Sequence, residues 1–191
     1  MTTVTIFGNG NMGAAIDSVL STGGASVDHI TSSDLGKPIT GDLVILAVYH
    51  PAVAQITSQY ADQLEGKIVV DITNPVNTET FDGLVVPVGS SSAAELAAQL
   101  PSSRVLKAFN TNFASTLASK SVGPNKTTVL IAGDDEAAKT TLSDALVAGG
   151  VSAVDVGSLK RAHELEALGF LQISLAAGGK SSWASGFALV E

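Results

Sequence analysis

A chain of 191 residues fits one domain with a well-buried core and at most a short appendage. It is 45% hydrophobic and 15% charged, with many Ala, Gly and Val, which suits a parallel sheet covered on both faces and excludes a disordered or fibrous chain. A formal charge of −8 argues against nucleic acid or an anionic membrane as partner, and the absence of cysteine removes disulfides, thiolate metal sites and a cysteine nucleophile.

Val4-Thr5-Ile6-Phe7 reads as a β-branched strand that runs into Gly8-Asn9-Gly10-Asn11-Met12-Gly13 and then into a helical pattern. This is a strand, G-x-G-x-x-G, helix unit. Gly8 serves the tight turn, Gly10 lets the backbone approach a pyrophosphate, and Gly13 lets the helix pack close to the strand. The free N–H groups and the positive dipole end of that helix then face the phosphates. Dinucleotide binding is the reading; a plain structural turn is the alternative. The strand begins within a few residues of Met1, leaving no room for a signal peptide, and no apolar run reaches the ~18 residues a spanning helix needs. A cytoplasmic protein is the expectation.

The pattern from Ala14 to Leu20 predicts a helix with Ala14, Ala15, Ile16, Val19 and Leu20 buried, ended by Gly23 and Gly24. The next strand, Ala25 to Ile30, delivers Thr31, Ser32, Ser33 and Asp34 to its tip. Hydroxyls can donate to a 2′-phosphate, so NADP is favoured; Asp34 keeps NAD as the alternative. Only Lys37 supplies nearby positive charge. The segment Thr31 to Asp42, with Gly36, Pro38 and Gly41, is too short and too broken for the usual crossover helix.

Leu43 to Val48 reads as a strand buried on both faces, carrying Tyr49 and His50 to the carboxyl edge where open α/β sheets bind ligands. A helix follows from Pro51 to Leu64. Lys67 to Ile72 is the next strand, with Asn74 and Pro75 at its tip as a turn or as nicotinamide contacts. Ser90 or Ser91 caps a helix that stops at Pro101. The strand Arg104 to Phe109 ends in Asn110, Thr111 and Asn112, read equally as site residues or as a turn before a helix over Phe113 to Ser119.

Strands at Thr127 to Ala132 and Val151 to Val156 flank a helix reaching Ala148. The last helical pattern, Leu159 to Ala177, puts Leu159, Ala162, Leu165, Leu168, Leu171 and Leu175 on an apolar face, with Lys160 and Glu164 as a surface pair. The tail holds Trp183 and Phe187, and must dock on its own domain or on a second subunit; a homodimer is the expectation. The sum is an α/β, Rossmann-type doubly wound and mainly parallel sheet in a single domain, with a C-terminal helix and tail from residue 158. His29, His50 and His163 lie on different elements, so no metal site is expected; Glu164 and Glu166 point to different sides of their helix and cannot form a paired acid and base.

At this level of detail the chain resembles the NADP oxidoreductases named for the deazaflavin coenzyme F-420, and the related cytoplasmic domain of the six-transmembrane ferric reductases. The segments that carry the resemblance are Thr5 to Gly13, Asp42 to Pro51, Gly66 to Pro75, Val105 to Thr111, Leu130 to Asp135 and Asp155 to Leu168. The resemblance implies NADP(H) along the strand tips, nicotinamide near Asn74-Pro75 and Asn110-Thr111, and a flavin-type or other acceptor under the last long helix. Family members usually carry arginine where Ser32 stands, and those that take the deazaflavin tend to carry histidine where Asn110 stands and hydroxyl residues near Ala167 and Gly169. The implied activity is hydride transfer between NADP(H), or NAD(H), and a flavin-type or small organic acceptor. A redox sensor without turnover, and a dehydrogenase of a small hydroxy or keto acid using His50, are the rivals.

Overall fold

The computed structural model describes residues 2–34 and 36–190. Its first unit is β1 (Thr3–Phe7), α1 (Asn11–Thr22) and β2 (Ser26–Ile30), followed without an intervening helix by β3 (Leu43–Leu46). Then come α2 (His50–Leu64), β4 (Ile68–Asp71), α3 (Ser92–Gln99), β5 (Arg104–Lys107) and α4 (Ala114–Ser119). A small hairpin of β6 (Ser121–Val122) and β7 (Asn125–Lys126) leads to β8 (Thr128–Gly133), α5 (Glu136–Ala148) and β9 (Ser152–Gly157). The 3-10 turn Leu159–Arg161 opens into α6 (Ala162–Ala177).

Seven strands form one sheet in the order β2-β1-β3-β4-β5-β8-β9. Every pairing is parallel except β5 with β8. The central strands are largely apolar, β3 throughout, because both faces are covered. Val4, Ile6, Ile45, Val70 and Leu106 point to one side, where Ile16 and Leu20 of α1, Leu117 of α4 and Leu142 of α5 meet them. Phe7, Val44, Leu46, Val69 and Val105 point to the other, against Val53, Ile56 and Tyr60 of α2 and Leu96 of α3.

The segment between β2 and β3 contains no helix among its described residues, as its glycines and proline predict. It is tied to α2 instead: Gly36 N–H donates to the Tyr60 hydroxyl (2.9 Å) and Ile39 N–H to Gln63 Oε1 (2.9 Å). The Tyr60 ring packs edge-on to Phe7 at 4.9 Å. The β2 side of the sheet's carboxyl edge is thus bounded by a thin loop rather than a helix.

Three expectations need correction. Ala14 is exposed, because α1 turns Gly13, Ala15, Ile16, Val19 and Leu20 inward. Glu164 pairs with Arg161 at 2.8 Å rather than with Lys160, since the 3-10 turn shifts the rotation of the residues before α6. The buried face of α6 is Ala162, Leu165, Glu166, Gly169, Gln172 and Ala176, while Leu171 is half exposed. Small residues let the helix lie close to the sheet, and a buried glutamate finds its partner there. Of the expected leucine face, Leu159, Ala162 and Leu165 are buried, Leu168 and Leu175 half-buried, and Leu171 exposed. The tail runs back over α4: Ser115 Oγ donates to the Trp183 carbonyl (2.7 Å) and the Trp183 ring lies 5.1 Å from that of Phe113.

Candidate functional site

The carboxyl ends of β1 to β5 share one edge of the sheet, and the residues singled out in the sequence fall along it. At β1 the chain turns through Gly8, whose φ of +101° belongs to glycine and whose α-carbon faces the Ala47 carbonyl so closely that any Cβ would overlap it. Gly13 lies under the same turn, where a Cβ would stand 2.6 Å from the Gly8 carbonyl oxygen. Gly10 differs from both. Among the described residues, nothing beyond its two chain neighbours lies within 4 Å of its Cβ position, so the chain's own packing does not call for glycine there.

Gly10 is the N-cap of α1, and no side chain caps that helix. The first-turn N–H groups therefore point outward without an intrahelical partner, beside exposed Asn9, Gly10 and Asn11. Met12 is half-buried and packs on the core under the turn. A second device holds the turn from below: His29 Nδ1 lies 2.8 Å from the Gly8 carbonyl oxygen, and His29 Nε2 lies 3.0 Å from Asp17 Oδ2 of α1. The sequence marked His29 only as a strand residue. Its place opposite Ile6 in the β1–β2 register, next to the turn, is the signal that could have found it.

At the tip of β2, Thr31 is half-buried and Ser32 and Ser33 are exposed. Asp34 accepts from both the Thr31 amide (3.1 Å) and the Thr31 hydroxyl (2.6 Å). Those hydrogen bonds, with a smaller pull from Lys37, hold the Asp34 carboxyl below its ordinary value. At the tip of β3, Tyr49 is 89% exposed and forms the N-cap of α2; His50 is the first residue of that helix and half-buried. An aromatic side chain this exposed has no packing role of its own.

The β4 and β5 tips are closed instead of open. Asn74 Nδ2 donates to the Asn110 carbonyl (2.8 Å), and Asn110 Nδ2 donates to Asn74 Oδ1 (2.9 Å) and to the Leu165 carbonyl of α6 (2.8 Å). Gly169 of α6 presses on this pair so closely that a Cβ would lie 2.8 Å from the Asn110 carbonyl oxygen. Pro75, Asn110 and Thr111 are buried. Phe109, at the end of β5, has a φ of +64°, a strained value for a bulky residue, which starts the turn through Asn110. The structure thus brings Asn74 and Asn110 together, as the two adjacent tips suggest, but under α6.

Beneath that pair lies a cluster that the sequence reading missed. Asp71 and Lys107 are partners in the β4–β5 register and share a face; Lys107 Nζ is 2.9 Å from Asp71 Oδ2 and 2.8 Å from Glu166 Oε1 of α6. All three side chains are fully buried. Glu166 also accepts from the amide of Ser92 (3.0 Å), in the first turn of α3, so the carboxylate faces a helix N-terminus. Burial pushes the Glu166 carboxyl above its ordinary value, against the opposing pull of Lys107. Burial acts on Asp71 in the same sense, but Lys107 and the Thr73 hydrogen bonds outweigh it and hold that carboxyl low. The missed signal was a lysine inside the apolar run Val105 to Phe109, which demands a buried anion.

Among the described residues no group of three or more histidine, aspartate or glutamate side chains is placed to hold a metal, and no helix is long and apolar enough to cross a membrane.

A mainly parallel sheet with a glycine turn and a free helix N-terminus at its carboxyl edge is a Rossmann-type α/β fold of the kind dinucleotide-binding oxidoreductases use. The chain is 32% identical over 155 residues to the coenzyme F-420-dependent NADP reductase of Methanocaldococcus jannaschii, covering 79% of this chain and 68% of that protein. It belongs to that family. It is also 37% identical over 127 residues to Metalloreductase STEAP3 of Rattus norvegicus; the match takes in 66% of this chain but spans only 25% of that protein. Among solved structures, a candidate F-420-dependent NADP reductase from Arthrobacter sp. FB24 superimposes with a TM-score of 0.86 over 100% of both chains at 22% identity, a likeness of fold. No protein-family model matches the chain.

Proposed function

We propose that the chain transfers a hydride between a nicotinamide dinucleotide, NADP(H) by its family, and a flavin-type or small organic acceptor. The observation that carries this reading is Gly10. A glycine with open space at its Cβ position, beside unpartnered helix N–H groups, fits a pyrophosphate and is unexplained by packing. The pyrophosphate end of the site therefore fits the dinucleotide. The β2 tip fits the 2′-phosphate poorly, because both Thr31 donors already serve the Asp34 carboxylate.

When bound, the nicotinamide supplies or accepts the hydride. The chain's part is to hold and to shield. Gly8, Gly10 and the α1 N-terminus fix the pyrophosphate; Tyr49 and His50 stand at the next tip toward the nicotinamide side; α6 closes the floor over Asn74 and Asn110. Hydride transfer between stacked rings depends on proximity and needs little proton transfer. That agrees with a floor whose charged groups, Asp71, Lys107 and Glu166, are bonded to one another.

The test is fluorescence titration of the chain with NADPH and NADH, followed by free flavin, a deazaflavin or a quinone. Oxidation of bound NADPH by one of them is expected and names the acceptor class; binding without oxidation by any of them sinks the hydride-transfer reading. Gly10→Val should abolish binding of both dinucleotides, because its side chain would occupy the pyrophosphate's space.

A further inference from the structure

We infer that Asp34 sets the dinucleotide preference of this chain by closing the β2 tip to a 2′-phosphate, so that NAD(H) is taken at least as readily as NADP(H). The inference rests on the dinucleotide reading of the glycine turn and refines it at the adenosine end. Gly8 N–H donates to the Ile30 carbonyl at 2.9 Å, which places Thr31 directly beside the turn, where the adenosine ribose lies in folds of this topology.

A 2′-phosphate needs donors and positive charge at that point. Thr31 offers an amide and a hydroxyl, and both are donated to Asp34 Oδ2. The Ser33 hydroxyl lies 2.7 Å from that of Thr31 and completes the same closed set. Lys37 is the one basic residue between Thr31 and Asp42, and its ammonium donates to Asp28 Oδ1 (2.7 Å) and to the His29 carbonyl (3.0 Å) on β2. A phosphate arriving here finds the exposed Ser32 hydroxyl, but both Thr31 donors are held by a carboxylate that it must displace and remain beside. A ribose 2′-hydroxyl has no such conflict, because it can donate to the same carboxylate. Asp34 is exposed and held in its charged form by Thr31, so this opposition operates at neutral pH.

The experiment compares NADH and NADPH binding to the full chain by fluorescence titration, for the wild type, Asp34→Asn and Asp34→Ser. Both variants remove the charge, and Asp34→Asn also keeps an oxygen at the position that Thr31 bonds. The wild type should bind NADH at least as tightly as NADPH. Both variants should bind NADPH about tenfold more tightly, with NADH changed by less than about threefold. In the wild type the preference should shrink between about 10 mM and about 1 M salt, as the screening length falls from ~30 to ~3 Å. A purely structural role for Asp34 would shift both dinucleotides together and show no such salt dependence. Wild-type NADPH binding more than about tenfold tighter than NADH, or an unchanged ratio in both variants, overturns the inference. Loss of both dinucleotides in Gly10→Val alongside an unchanged ratio in Asp34→Asn would sink the role of Asp34 alone. A wild type that binds neither dinucleotide sinks the dinucleotide reading as well.

Discussion

Replacing Lys107 with methionine keeps the length of the side chain and removes its charge, and it should be among the most damaging single changes in the chain. The ammonium lies 2.9 Å from Asp71 Oδ2 and 2.8 Å from Glu166 Oε1, with all three groups out of water. Without it two carboxylates face each other within about 6 Å, where an effective dielectric of about 20 gives a repulsion of about 3 kcal/mol. Breaking a buried ion pair from one side generally costs about 3–5 kcal/mol, against a total stability of about 5–15 kcal/mol for a domain. The cheaper escape is proton uptake by Glu166, whose carboxyl burial already pushes upward.

That escape fixes the sign of the pH dependence. A carboxyl whose folded-state pKa lies above its unfolded value contributes stability that is complete below the unfolded value and is lost as pH rises through the folded one. Lys107→Met should therefore be weakest near neutrality and regain up to about 1.4 kcal/mol per pH unit as the solution is acidified toward pH 5. Urea unfolding followed by far-UV circular dichroism at pH 5 and pH 7.5 measures this directly. Adding Glu166→Gln removes one of the opposed carboxylates, so the double variant should be more stable at neutral pH than the sum of the single effects. A loss below about 1 kcal/mol that does not change with pH would refute the reasoning.

Asp71 gives the opposite slope: its carboxyl is held low, so its contribution is complete above the ordinary value of 3.8 and is lost as pH falls through the folded value. Asp71→Asn should flatten the acid limb of the stability curve, read by urea unfolding between pH 2 and 5, while lowering stability at neutral pH. Gly169→Ala forces a methyl group onto the Asn74–Asn110 pair and should cost about 1–3 kcal/mol by thermal or urea unfolding, with hydride transfer impaired more than dinucleotide affinity. His29→Ala frees the Gly8 carbonyl and should weaken NADH and NADPH several-fold in parallel, with about 1 kcal/mol lost from stability; an affinity unchanged for both would show that the turn holds itself.

Much of the fold is readable because the central strands are mostly apolar and many of the turns carry glycine or proline. Leu43 to Leu46 and Ile68 to Asp71 announce strands covered on both sides, and the broken segment after Thr31 announces a missing crossover helix. The carboxyl edge is equally legible, since strand ends and polar tips are adjacent in the chain. What escaped is what depends on rotation and on long-range pairing. The periodicity of α6 offers a leucine stripe and a small-polar stripe to the same sheet. Only the close approach allowed by Gly169 and the buried demand of Lys107 decide that Glu166, not Leu171, turns inward. The antiparallel pairing of β8 with β5 likewise rests on contacts far apart in sequence, which no local pattern carries.

These two halves of the edge explain why so few of the chain's polar residues are free to touch a ligand. From β2 to β3 the tips are open: Asn9, Gly10, Asn11 and Asp34 are exposed, and Tyr49 points outward, giving the proposed dinucleotide site a rim bounded by thin loops. From β4 to β5 the tips are sealed, with Asn74, Asn110 and α6 bonded over a buried ion cluster. On the proposed function, an acceptor ring would approach from the Tyr49 and His50 side, where the Tyr49 ring is 89% exposed. A planar, flavin-type acceptor suits that surface better than a small hydroxy or keto acid, which would require a cation to hold its carboxylate and a base to move its proton. Tyr49→Ala separates the two. With a planar acceptor it should raise KM for that acceptor several-fold and leave dinucleotide affinity intact, because stacking area is what it removes. Unchanged turnover in that variant, together with loss of turnover in His50→Ala, would move the assignment to the acid dehydrogenase.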